Sequence, residues 1–143
     1  MTRFVLYIAA ALALMGFADA AHAANWLMMG SQISLVEKDD GTLIMRYVVP
    51  RKELADYGIK RGTLLFQGTI SDDNSIDGIS YVFQKGCRPT PFHMSGSMND
   101  LGTEITLYGA SPIFESDTSC KVIRYNPTGK YASMLLTNMG MLD

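Results

Sequence analysis

Turn-forming residues recur at short, near-regular intervals from Gln32 onward, and this spacing restricts the fold more than any other feature of the sequence. The segments between the turns are rich in β-branched and aromatic residues, which is typical of short antiparallel strands. The predicted strands are 32–36, 42–49, 63–71, 78–84, 92–97, 104–109, 121–125 and 131–137. They predict an all-β fold, a small antiparallel barrel or sandwich of about eight short strands.

The turns and the single helical signal complete this prediction. Asp40-Gly41 predicts a hairpin turn, and 126–129 (Asn-Pro-Thr-Gly) predicts a last hairpin between 121–125 and 131–137. Pro50 before and Gly58 after residues 51–57 predict one short helix of two turns or fewer. Glycines inside several strands favour a curled, closed sheet, with a sandwich as the alternative. No linker interrupts residues 24–143, so we expect a single β domain there.

Residues 1–23 have the pattern of a cleavable signal peptide. Arg3 is followed by an apolar run over 4–17, and Ala21-His22-Ala23 has the small-x-small pattern of a cleavage site. A membrane anchor is the alternative, but the run is shorter than the roughly 20 residues that a spanning helix needs, and no lipobox cysteine is present. We therefore expect a periplasmic or secreted protein with no membrane anchor after cleavage.

Export also affects how the two cysteines are interpreted. Cysteines tend to pair in an oxidising compartment, and Cys87 and Cys120 are the only two in the chain. The sequence therefore predicts one intramolecular disulfide bond. Free thiols and an intermolecular bond are the alternatives. The absence of a C-x-x-C motif argues against a redox role.

Charge narrows the range of partners. The chain has a formal net charge of −2, and the predicted cleavage does not change this value because the signal peptide contains one base and one acid. A nucleic-acid-binding protein would normally carry an excess of basic residues, so we expect no nucleic-acid partner. Five cations near the predicted helix and near Cys87 are candidate binding residues for an anionic protein or envelope polymer: Arg51, Lys52, Lys60, Arg61 and Arg88. The alternative is an ordinary solvated surface.

Catalytic chemistry has one candidate. Cleavage leaves His93 as the only histidine, and Ser95 and Ser97 follow it at spacings that share one face of a strand. A small hydrolase using His93 with Ser95 or Ser97 is therefore an alternative function, although no G-x-S-x-G motif is present.

Neither a metal nor a cofactor is predicted. Residues 73–78 (Asp-Asn-Ser-Ile-Asp-Gly) match the first half of a calcium loop, but the twelfth position is Gln84 in place of the bidentate glutamate. An acidic hairpin turn uses the same residues. One histidine and two paired cysteines do not make a normal zinc ligand set, and no phosphate-binding glycine loop is present.

These observations favour an exported, non-enzymatic binding protein that recognises a protein or a cell-envelope component. A structural component of the envelope is a further alternative. In size, expected compartment and architecture the chain resembles the bacterial periplasmic inhibitors of lysozyme, and the resemblance assigns no residue.

Overall fold

Ten strands and two short 3₁₀ helices form within residues 21–141, the part of the chain that this computed structural model describes. Most of the predicted signal peptide lies outside the described residues. The strands, in chain order, are β1 (Ala21–Met28), β2 (Ser31–Lys38), β3 (Thr42–Val49), β4 (Leu64–Ile70), β5 (Ser75–Val82), β6 (Thr90–Met98), β7 (Glu104–Tyr108), β8 (Ser111–Phe114), β9 (Val122–Asn126) and β10 (Ser133–Asn138).

Eight of these strands form a closed antiparallel barrel. Strands β1 to β7 pair consecutively in chain order, and β10 lies between β7 and β1 to close the ring. The β1–β10 seam is short, with Trp26 opposite Asn138 and Leu27 opposite Thr137. The prediction of an all-β fold is confirmed, and the architecture is the barrel of the two alternatives.

The barrel encloses one apolar core. Over residues 31–36 of β2 and 42–47 of β3, buried side chains alternate with more exposed ones, as expected when one face of a sheet is buried. The largest side chains with no more than 1% of their surface exposed come from seven of the eight barrel strands: Ile33, Leu43, Met45, Phe66, Ile76, Met94, Ile105, Leu107 and Leu136.

The predicted hairpin between 121–125 and 131–137 is wrong. β9 pairs with β8, a strand that the prediction treated as loop, and the two form a separate ribbon outside the barrel (the β8–β9 ribbon). The difference follows from burial. β10 places Leu136 in the core opposite Ile105 of β7, whereas Ile123 and Tyr125 of β9 are at least half exposed. β10 therefore supplies the apolar residue that completes the core between β7 and β1.

A short helix connects β3 and β4, as predicted. It is a 3₁₀ helix over Lys52–Tyr57 and ends at Gly58, which has a φ of 75°. The backbone N–H of Gly58 bonds to the carbonyls of the last turn, so glycine is needed for the left-handed conformation that ends the helix.

The two ends of the barrel differ. At one end, short turns join β2 to β3, β4 to β5 and β6 to β7 (the turn end). The other end carries the β1–β2 turn, the 3₁₀ helix, the β5–β6 loop and the long excursion that contains the β8–β9 ribbon (the loop end). Because the irregular segments gather at the loop end, most of the chain's concave surface lies there.

Candidate functional site

An inner cavity of about 270 Å³ opens at the loop end of the barrel. Its wall combines side chains from the strand ends, the 3₁₀ helix and the segment before β10, among them Tyr47, Arg51, Tyr57, Leu65, Phe83 and Tyr131. Aromatic and aliphatic groups predominate, as they do in most ligand-binding pockets.

An outer cavity of about 690 Å³ lies between the barrel and the β8–β9 ribbon. Its wall includes Gln84, Lys85, Pro112, Phe114, Ser116 and Asp117. The two cavities share five lining residues: Tyr57, Val82, Phe83, Lys130 and Tyr131. The two cavities therefore adjoin along these side chains, and we call them together the cleft.

A disulfide bond holds the outer side of the cleft together. Cys87 in the β5–β6 loop is bonded to Cys120 just before β9, with a Cα–Cα distance of 5.5 Å. On the same side, Gln84 Nε2 donates to the carbonyl oxygens of Ser116 (3.0 Å) and Ser119 (3.4 Å). The predicted pairing is confirmed, and it connects the ribbon to the barrel at the edge of the cleft.

Arg51 is fixed at the base of the cleft through its backbone. Its backbone N–H donates to Ser31 Oγ at 2.9 Å, and the Ser31 side chain is almost fully buried. The Nε of Arg51 is buried and has no hydrogen-bond partner among the described residues. An unpartnered buried donor is uncommon in folded proteins, so the position of this guanidinium calls for a functional explanation.

Tyr47 lies beside Arg51 in the wall of the inner cavity. Only 5% of its surface is exposed, and its ring packs edge-to-face against Phe83 at a centroid distance of 6.5 Å. Burial raises the pKa of Tyr47 to about 12, partly offset by the positive charge of Arg51. The phenol is therefore protonated at neutral pH. Its hydroxyl makes no hydrogen bond to any residue that the structure describes.

The five predicted binding cations do not come together. Arg51 alone lines the cleft. Three others, Lys52, Lys60 and Arg61, are exposed around the 3₁₀ helix and line neither cavity. Arg88 is exposed next to the disulfide bond. A role for these four residues stays a prediction.

The sequence analysis missed most of the cleft. Lys130 lines both cavities, with its Nζ 5.4 Å from the centroid of the Tyr131 ring, and Lys85 lines the outer one. The aromatic side chains of Tyr47, Tyr57 and Phe83 were also not identified. They belong to separate segments, and only the fold brings them together. The one sequence signal for this part of the site was Tyr47, a tyrosine on the buried face near the end of β3.

The histidine candidate lies on the outer face of the barrel. His93 Nε2 is 2.8 Å from Asp77 Oδ2, and both side chains are more than half exposed. Ser95 lies opposite Asp77 across the β5–β6 ladder. Within residues 21–141, His93 makes no hydrogen bond to Ser95 or Ser97, and it lines neither cavity of the cleft. The arrangement provides a histidine–carboxylate pair without the hydroxyl contact that activates a serine.

The acidic residues of the calcium-like segment have other partners. Asp73 Oδ1 accepts a hydrogen bond from the backbone N–H of Ser75 at 3.0 Å, and this bond lowers the pKa of Asp73. Asp77 lies in β5 and pairs with His93. Among the described side chains, no group of three or more His, Cys, Asp or Glu is placed to hold a metal ion. The segment has the geometry of a hairpin turn.

No protein-family model, curated protein or solved structure matches this chain. The site is therefore interpreted from its own geometry. In the described part of the chain, no helix is long and apolar enough to cross a membrane. The cleft combines apolar walls, several tyrosines and the Arg51 side chain, which donates no hydrogen bond to a described residue. These are groups suited to holding a ligand.

Proposed function

We propose that this chain is an exported binding protein that recognises a protein or a cell-envelope polymer through the cleft at the loop end of its barrel. The observation that carries the proposal is that two adjoining cavities share an aromatic wall. The mouth of a β-barrel is a common location for a binding site. Tyrosine, with a large apolar ring and a polar tip, is enriched where proteins bind partners.

The disulfide bond supports the same proposal. It joins the two segments that form the outer side of the cleft, so the ribbon is held near the barrel before a partner arrives. Binding by a surface that is already ordered loses less conformational entropy than binding by a mobile loop. A disulfide bond is also compatible with an extracellular or periplasmic location.

Replacing Tyr57 with alanine is expected to weaken partner binding about tenfold or more, because truncation of a central aromatic residue removes a typical hot spot. Tyr57 is 45% exposed and lines both cavities. The measurement is affinity capture from an envelope extract on the immobilised chain, followed by titration of the captured component. Tyr108→Ala is the matched control, since Tyr108 of β7 is 61% exposed but lines neither cavity.

A component that binds the Tyr108→Ala chain normally and the Tyr57→Ala chain poorly supports the proposal. A component that binds both variants equally well locates recognition elsewhere on the surface. Recovery of no saturable component, or sedimentation of the chain with cell-wall material irrespective of Tyr57, favours a structural role in the envelope and contradicts the proposal.

The proposed export of the chain includes cleavage of the signal peptide after Ala23. β1 begins at Ala21, so this cut would remove its first three residues. The remaining residues keep their pairing with β2, from Ala24 opposite Leu35 to Met28 opposite Ser31, and both pairs of the β10 seam. The barrel can therefore close after cleavage.

The intact mass of the exported protein is expected to correspond to residues 24–143 with two hydrogens missing. Alkylation without prior reduction should leave this mass unchanged, since Cys87 and Cys120 are bonded to each other. A mass that retains the first 23 residues, or that shows two alkylated thiols, would contradict the export prediction.

A further inference from the structure

The inner cavity is lined by two side chains that can donate hydrogen bonds and have no acceptor among the described residues. The Tyr47 hydroxyl makes no hydrogen bond to a described residue, although only 5% of the surface of Tyr47 is exposed. Arg51 lines the same cavity, and its side chain donates no hydrogen bond to a described residue. Its Nε is shielded from solvent, so the terminal nitrogens of the guanidinium are the donors left for a ligand. The cavity therefore offers donors without an acceptor.

The charges around the cavity indicate that this acceptor is an anion. Three charged residues line it: Arg51, Lys130 and Glu53. Within the described residues Arg51 makes no ion pair, and the only ion pairs lie elsewhere, between His93 and Asp77 and between Lys121 and Glu115. Glu53 therefore does not neutralise the charge of Arg51 through an ion pair. Together, the three charged residues give the cavity lining a net positive charge. A partly desolvated guanidinium is most stable beside a carboxylate or phosphate.

The rest of the cavity wall favours a ligand in which the anionic group is attached to an apolar group. It is formed largely by aliphatic and aromatic side chains: Met28, Leu54, Ile59, Leu65, Val82 and Phe83. A volume of about 270 Å³ equals that of about nine water molecules in the liquid. This space suits a single small anionic group with a short apolar body, and the outer cavity leaves room for the rest of a larger ligand.

We propose that the inner cavity binds a carboxylate carried on an apolar body, whose oxygens accept hydrogen bonds from the Tyr47 hydroxyl and from the Arg51 guanidinium. This inference rests on the proposed function and names the chemistry of the group that enters the cleft. Two sources present that chemistry: the C-terminal residue of a polypeptide partner and a free fatty acid. The planar carboxylate matches the donor geometry of arginine.

Isothermal titration calorimetry with matched pairs of probes tests the inference. The probes are octanoate against octanamide, and a capped tripeptide ending in leucine with its carboxylate free or amidated. At least one free carboxylate is expected to bind, and about tenfold or more tightly than its own amide. Tighter binding of octanoate identifies a fatty acid as the source, and tighter binding of the tripeptide identifies a polypeptide C-terminus.

Variants of Arg51 and Tyr47 then test whether these two side chains bind the carboxylate. Arg51→Gln is expected to weaken the preferred carboxylate about tenfold or more, and Tyr47→Phe about threefold to tenfold, because each removes one donor. Arg61→Gln is the matched control, since Arg61 is exposed on the same connection and lines neither cavity. Thermal unfolding of each variant checks that the fold is intact, and Tyr47→Phe decides the matter if Arg51→Gln does not fold.

The inference is overturned if neither carboxylate binds, if an amide binds as tightly as its acid, or if the folded donor variants bind like the wild-type chain. Loss of partner capture by Tyr57→Ala would still support the proposed function in each of these cases. The two proposals therefore fail on different measurements.

Discussion

Replacing both cysteines with serine is expected to lower the free energy of unfolding by about 3 to 4 kcal/mol. The bond closes a loop with a sequence separation of 33 residues, and a crosslink over that length removes substantial conformational freedom from the unfolded chain. The loss is a large fraction of the 5–15 kcal/mol that typically stabilises a small domain. Urea unfolding of Cys87→Ser/Cys120→Ser against the wild-type chain measures it.

The reductant provides the matched control for this experiment. Dithiothreitol should lower the urea midpoint of the wild-type chain towards that of the double variant and should leave the double variant unchanged. Hydrogen exchange should also become faster in the β8–β9 ribbon than in β2 to β5, because the ribbon has its own ladder and no strand pairing with the barrel. Equal midpoints for oxidised wild-type and double-variant chains would contradict the prediction.

Replacing Gly78 with alanine is expected to destabilise the barrel by about 3 kcal/mol, or to prevent folding. Gly78 lies opposite Gly68 where β4 and β5 approach closely. A Cβ atom at Gly78 would lie 2.6 Å from Phe66 Cζ and 2.7 Å from Gly68 Cα, and nearer still to the carbonyl oxygen of Gln67. Phe66 is fully buried, so neither the backbone nor the ring can easily give way.

Gly140→Ala is the matched control for this substitution. A Cβ there would meet only the Asn138 side chain, at 3.3 Å, and Gly140 is exposed, so its effect should stay within about 0.5 kcal/mol. If Gly78→Ala does not fold, adding Phe66→Leu should recover part of the stability, because the shorter side chain vacates the position of the ring. A Gly78→Ala chain as stable as the wild type would show that the sheet relaxes without cost.

The sequence predicted correctly those elements that depend on residues close together in the chain. The Asp-Gly turn before β3, the bounds of β3 and the short helix ending at Gly58 all follow from turn residues and alternation within a few positions. The partner of a strand depends instead on distant residues. β10 pairs with β7, and not with its sequence neighbour β9, because Leu136 is then buried opposite Ile105. These two residues are far apart in the sequence, so no short window of it contains both.

The candidate site was less predictable than the fold for a similar reason. Arg51 was identified as one of several cations, yet charge alone did not separate it from Lys52 next to it. The distinction is made by Ser31, which holds the Arg51 backbone, and by Tyr47, which lies beside its side chain. These residues come from different strands, so only the closed barrel brings them together with the ribbon and Lys130.

The position of β10 in the barrel has a consequence for how the chain reaches its native state. The ring closes only when Ser133–Asn138 insert between β7 and β1, and β10 follows every other barrel strand in chain order. Until then, two strands present unpaired edges that can add a strand from another molecule. A chain in which β10 has not yet inserted is therefore at its most prone to aggregate, and we expect a chaperone that protects this protein during folding to recognise the open edges of β1 and β7.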